Sequence, residues 1–247
     1  MQITLTLNGA TLTEDVRADM TLFDFCRAHG YKSVKCACET SNCGLCTVLL
    51  DGEPVLSCSV LMARADGHEV TTLEGMRDGR RELLAQCLAE EGAEQCGFCA
   101  PGLEMAVLAL DAAHAHADDE TVRRYLSGNL CRCSGYASQM RAIRRFLARH
   151  ANGGELPPRE VPEDATTESG EKHREITRPV AKKDSGALLA GAPVYTADLA
   201  PEGALVVKLV RSRHANALVT NVDKSRALEI PGVVAVFGPD DVPHHRF

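Results

Sequence analysis

The chain has no tryptophan, and aromatic residues make up only 4% of its 247 positions. Its core must come from aliphatic side chains, and a hydrophobic share of 45% is ordinary enough to supply one. Positive charge is not in surplus. Against 34 Asp and Glu stand 27 Lys and Arg, for a net charge of −7. That balance argues against a nucleic acid held through its phosphates. No apolar run approaches about 18 residues, so no membrane span is expected. The N-terminus alternates like a strand and lacks both a basic n-region and an apolar h-region, so it does not read as a signal peptide. There is no internal repeat and no GxGxxG or GxxxxGK(S/T) phosphate loop, so the chain shows no nucleotide site of its own. No Ser/His/Asp arrangement or paired carboxylate stands out. His114, His116, His244 and His245 read as solvated or capping residues.

Cysteine, by contrast, is abundant and clustered. There are 11, an odd number, and eight fall into two short-spaced sets. Such usage reads as metal ligation in a reducing, cytoplasmic compartment and not as a disulfide framework. The first set is Cys38-x4-Cys43-Gly44-Leu45-Cys46, followed by Cys58. The second pairs Cys96-Gly97-Phe98-Cys99 with Cys131-Arg132-Cys133. Each set offers the four thiolates that one [2Fe–2S] cluster needs, and the first has plant-type ferredoxin spacing. Zinc is the alternative for soft thiolate donors, but it prefers paired CxxC knuckles, which a C-x4-C-x2-C triplet with a distant Cys58 does not provide. Cys36 makes a fifth candidate for four places in the first set; the x4 spacing selects Cys38. Cys26 and Cys87 lie on expected helix faces and read as small buried hydrophobes.

The periodicity divides the chain. Residues 1–76 read as a small β-rich unit. A strand alternates through Ile3, Leu5 and Leu7, Asn8-Gly9 turns it, and a second strand follows over Thr11–Val16. A short helix over Thr21–His29 ends at Gly30. A second hairpin runs through Thr47–Leu50, Asp51-Gly52 and Pro54–Val60. Residues 77–150 read as four short helices: Glu82–Glu91, Pro101–Leu110, one capped by Asp118 or Asp119 and ending near Gly128, and Ala137–His150. Residues 151–186 have a linker's composition. In 187–247, Leu205–Val210, Leu218–Val222 and Val233–Phe237 read as strands, with one helical turn at Ser225–Leu228. The expected class is α+β: a β-grasp plant-type ferredoxin domain, then a four-helix cluster-binding bundle.

Gln95-Cys96-Gly97-Phe98-Cys99-Ala100-Pro101-Gly102 and Gly128-Asn129-Leu130-Cys131-Arg132-Cys133-Ser134-Gly135-Tyr136 resemble the iron–sulfur part of the xanthine dehydrogenase/aldehyde oxidase family of molybdenum hydroxylases. Cys43-Gly44-Leu45-Cys46-Thr47-Val48 with Ser57-Cys58 does so too. The wording is similar to a bacterial xanthine dehydrogenase or purine hydroxylase branch. It departs from the family's usual loop at Ser41, in place of a glycine, and at Leu45, in place of an alanine. Gly191, Tyr195 and Asp198, then Lys208–Ala215 and Ile230–Val236, resemble the opening of the family's molybdenum subunit, so 187–247 is expected to begin an α/β-hammerhead domain. That pattern stops at Phe247 unfinished. A longer fusion or a second polypeptide would complete it.

The resemblance implies an electron-transfer component of a molybdenum hydroxylase. Electrons would leave a molybdopterin centre, in its cytosine dinucleotide form, pass both clusters and reach FAD and then NAD or another acceptor. The molybdenum and FAD sites would lie on partner subunits or domains in a hetero-oligomer. A xanthine or purine substrate is expected, with aldehyde, nicotinate or another heterocycle as alternatives. Gln95 and Cys133 match residues that approach the pterin. A free double-cluster ferredoxin is the competing reading, although it needs neither the second cysteine set nor the hammerhead start.

Overall fold

In the computed structural model, residues 1–158, 182–192, 195–199 and 201–241 are described. The first half builds a five-stranded sheet of order β2-β1-β5-β3-β4. Its strands are β1 (Gln2–Leu7), β2 (Ala10–Asp15), β3 (Thr47–Leu50), β4 (Glu53–Leu56) and β5 (Glu69–Thr71). Both hairpins turn where the sequence supplies the chemistry. Asn8 and Gly9, and Asp51 and Gly52, all have positive φ, as two-residue turns between twisted strands require. Ile3, Leu5 and Leu7 alternate inward and meet helix α1 (Leu22–Ala28) through Leu22, Phe25 and Cys26. Thr21 and Asp24 close a capping box at the start of α1, and Gly30 follows its end with φ 82°.

Two elements differ from the sequence reading. Strand β4 stops at Leu56 and does not continue to Val60, because Ser57–Ser59 coils into a 3-10 turn. Both the amide (3.2 Å) and the hydroxyl (2.7 Å) of Ser57 donate to the Cys46 carbonyl and pull this turn under the cysteine loop. Strand β5 is three residues long, too short to leave a period-2 signal, yet it joins β1 in parallel and β3 antiparallel.

Four helices follow: α2 (Arg80–Glu90), α3 (Ala100–Ala113), α4 (Asp119–Tyr125) and α5 (Tyr136–Ala148). Asp118 caps α4, accepting the Thr121 amide at 2.9 Å. Leu84, Cys87 and Leu88 of α2, Met105 and Leu108 of α3, Val122 of α4, and Ile143 and Phe146 of α5 share one buried cluster. Helix α3 is covered along nearly its whole length, with Ala100 through Asp111 all buried. At its far end Asp111 accepts Arg149 at 2.5 Å and His150 at 2.7 Å. Beyond the bundle, α6 (Ser185–Leu189) packs on α2 and α3. Of the segment read as a linker, residues 159–181 lie outside the described residues.

Contacts divide the chain after Leu199. In the second unit, α7 (Ser225–Leu228) forms where a helical turn was expected. The three strands expected at Leu205–Val210, Leu218–Val222 and Val233–Phe237 do not form. No strand pairs with these runs among the described residues, and side chains such as Val207, Val210 and Leu218 are exposed. Apolar alternation alone does not make a strand; a ladder partner does. No helix among the described residues is long and apolar enough to cross a membrane.

Candidate functional site

The first cysteine set lies in the loop before β3 and in the turn after β4. Cys46 and Cys58 bring their sulfurs to 3.3 Å. Cys38 accepts the amides of Asn42 at 3.5 Å and Thr40 at 3.4 Å, and this lowers its pKa to about 6. It also interacts with the Cys43 thiol. Burial pushes Cys46 up to about 12. Cys36 is half-buried, and burial raises its thiol as well. Ser41, standing where the family has glycine, adopts φ 59°, a left-handed conformation glycine would take freely. Its hydroxyl lies 3.5 Å from the Cys58 sulfur. The loop therefore keeps the glycine-like turn and gains a polar contact to a sulfur.

The second set spans the approach to α3 and the approach to α5. Cys99 is the residue that caps α3, so the positive end of that helix dipole faces the site. Cys96 and Cys133 stand 3.6 Å apart. Cys99 pairs with Cys131 and is pushed up to about 12, by burial first and then by that neighbour. Burial would raise Cys131 too, but the Gly135 amide, the Cys99 thiol and the Cys133 and Ser134 amides bring it below the ordinary thiol value. Tyr136 fixes this loop, its hydroxyl accepting the Cys131 amide at 2.8 Å and facing the Cys131 carbonyl at 3.2 Å. Gln95 is exposed beside Cys96 and donates to the Cys133 carbonyl at 3.4 Å.

In both sites the sulfurs gather two and two: Cys38 with Cys43, Cys46 with Cys58, Cys96 with Cys133, Cys99 with Cys131. Paired thiolates suit a dinuclear group, two for each iron, and the donors are the soft ones iron–sulfur clusters take. The fit is chemical as well as geometric. Amides directed at Cys38 and Cys131 favour the thiolate, the form that binds metal.

The two sites are joined directly. The Leu130 amide donates to the Cys43 carbonyl at 2.9 Å, and Leu130 immediately precedes Cys131. Asn129 Nδ2 reaches the carbonyls of Gly44 and Gly102, both at 3.4 Å. Gly102 of α3 lies so close to the first loop that a Cβ would collide with the Gly44 carbonyl oxygen and stand 2.9 Å from the Leu45 Cα. Sequence reasoning placed the eight cysteines but missed this junction. Its signal was present in Gly128-Asn129-Leu130-Cys131, where a polar residue sits between a glycine and a ligand candidate.

Comparison with known proteins agrees with this geometry. The family described as "2Fe-2S iron-sulfur cluster binding domain" matches residues 5–69, "[2Fe-2S] binding domain" matches 72–144, and "Aldehyde oxidase and xanthine dehydrogenase, a/b hammerhead domain" matches 190–247. The nicotinate dehydrogenase small FeS subunit of Eubacterium barkeri is 41% identical over 152 residues, 61% of this chain and 97% of that protein. Quinoline 2-oxidoreductase from Pseudomonas putida is 36% identical with a TM-score of 0.57, over 63% of this chain and 98% of the matched one. The aldehyde oxidoreductase of Desulfovibrio desulfuricans is 30% identical with a TM-score of 0.78, over 98% of this chain but 27% of the other. This chain therefore spans nearly all of a small FeS subunit and about a quarter of a large oxidoreductase. With two [2Fe–2S]-binding domains in tandem, it belongs to the xanthine dehydrogenase/aldehyde oxidase family of molybdenum hydroxylases and carries that family's iron–sulfur part.

Proposed function

We propose that this chain relays electrons in a molybdenum hydroxylase, accepting them at the Cys96/Cys99/Cys131/Cys133 site and releasing them from the Cys38/Cys43/Cys46/Cys58 site. A [2Fe–2S] cluster held by four thiolates takes up and gives back one electron. The observation that carries the reading is the Cys43–Leu130–Cys131 connection, one hydrogen bond of 2.9 Å between the backbones of two ligand candidates. Electrons crossing from the second site to the first thus meet a short path of covalent bonds and a single hydrogen bond. Cys38, and not Cys36, is assigned to the first site because amides already stabilise its thiolate.

The entry side is marked by Gln95, exposed and tied to the Cys133 carbonyl, where a pterin from a molybdenum subunit would approach. The partners assigned are that subunit and an FAD-binding subunit. The cytosine dinucleotide form of the pterin rests on the resemblance to bacterial enzymes. An N-heterocycle substrate is favoured by the names of relatives that act on nicotinate and quinoline. A β-grasp unit, a helical bundle and the start of a hammerhead domain are the assigned order, with boundaries near 76, 150 and 186. Eleven unbridged cysteines accord with a cytoplasmic setting. The test is substrate-driven reduction in the assembled complex, followed by absorbance. Gln95→Ala is expected to slow reduction about tenfold or more with iron content unchanged; an unaltered rate removes the pterin contact.

A further inference from the structure

Lys35 is 3% exposed, yet no carboxylate lies within ion-pair distance of it among the described residues. The buried Arg149, by contrast, pairs with Asp111. The Lys35 ammonium instead donates to the Lys32 carbonyl at 2.6 Å. It also lies 5.0 Å from the centre of the Tyr195 ring and 5.8 Å from that of Phe98. Those rings meet edge-on at 5.0 Å, and the Tyr195 hydroxyl donates to the Cys96 carbonyl at 2.7 Å. Phe98 lies between Cys96 and Cys99 in the chain.

The residue therefore spans the two sites. Its amide donates to the Leu45 carbonyl at 3.3 Å, inside the first cysteine loop, while its charge rests against the CxxC turn of the second. Residues 182–192 and 195–199 are held to the same region. Arg27 pairs with Asp198, Ser185 donates to the buried Glu94, and Lys182 donates to the Gln95 carbonyl at 2.6 Å. Gly97 lies against Leu188, and Gly191 against Ser33, each too close to admit a Cβ without a shift. Burial pulls the Lys35 pKa below the ordinary lysine value, while Asp198 and Glu74 pull it back up. The carbonyl and the two ring faces likewise favour the ammonium form.

Adding an electron to a cluster adds a negative charge. A fixed cation nearby favours the reduced form, and a cation removed from water acts more strongly and is less screened by salt. We propose that Lys35 is a tuning residue whose buried positive charge raises the reduction potential of the Cys96/Cys99/Cys131/Cys133 cluster and so eases entry of electrons from the Gln95 side. This rests on the two-cluster reading above.

The test is a redox titration of the cluster-loaded full chain, each cluster followed by its own EPR signal. Lys35→Met keeps the apolar stem and deletes the charge. Its second-cluster midpoint is expected to fall by the equivalent of at least a tenfold change in the reduced-to-oxidised ratio, 59 mV for one electron. The first cluster should move less, and Lys35→Arg should restore most of the shift. If the Met variant does not assemble, Lys35→Gln, with a neutral donor for the Lys32 carbonyl, reads the same potential. An unmoved second cluster, a larger shift in the first, or Lys35→Arg behaving like Lys35→Met overturns the proposal. Absence of a second signal in the wild type instead removes the two-cluster reading, and the proposal with it.

Discussion

At the scale of single residues, the chain spends its polar groups on its cysteines. The amides of Thr40 and Asn42 serve Cys38, and Tyr136 holds the backbone of Cys131. Glu104 is the exception. It is fully buried on α3, and neither carboxylate oxygen has a partner among the described residues. Burial raises its pKa well above the ordinary value, and Arg81 only partly opposes this. The folded chain therefore keeps the proton to a higher pH than the unfolded chain, which releases it above about pH 4.3. Stability linked to Glu104 is fully present below that pH and is lost as pH rises toward the folded value. Glu104→Met removes the unpaired acid while keeping its bulk. It is expected to stabilise the chain by about 1–3 kcal/mol at pH 8, with the gain shrinking toward pH 4. Urea midpoints at the two pH values check this, and a gain independent of pH would mean the carboxyl ionises in the folded chain.

At the scale of elements, α3 organises the site. Its first residues carry the end of one cysteine set and rest on the loop of the other. Gly102→Ala places a methyl against the Gly44 carbonyl and Leu45 with no space to receive it. A loss of about 1–3 kcal/mol is expected, read as a lowered thermal midpoint accompanied by slower electron transfer between the clusters. A wild-type melting point in this variant would show that α3 and the loop are not held together here. Much of this was legible beforehand. Both hairpins, the glycine that follows α1, the Asp118 cap of α4 and the grouping of eight cysteines into two sets follow from local patterns such as Asn8-Gly9, Gly30 and Cys96–Cys99. Strand β5, the turn at Ser57–Ser59, the Leu130–Cys43 bond and the seat of Lys35 were not, because each depends on partners distant in sequence. The expected strands after Leu205 failed for the same reason in reverse: their pattern is local, but a ladder is not.

At the scale of the whole molecule, two small folded regions place two sets of thiolates against each other and join them through the Leu130–Cys43 backbone hydrogen bond and the Asn129 side chain. Neither region alone accounts for that junction. On the proposed reading, electrons would run from the exposed Gln95 and the half-buried Cys133 to Cys131, across to Cys43 and out through the loop at Cys38. Two complete clusters in series are the premise of the relay, of its direction and of the role given to Lys35. Iron and acid-labile sulfide, quantified on the purified full chain with EPR of the dithionite-reduced sample, test that premise most directly. The account predicts about four iron and four sulfide per chain and two distinct S = 1/2 signals; zinc in place of iron, or two iron with a single signal, would contradict it.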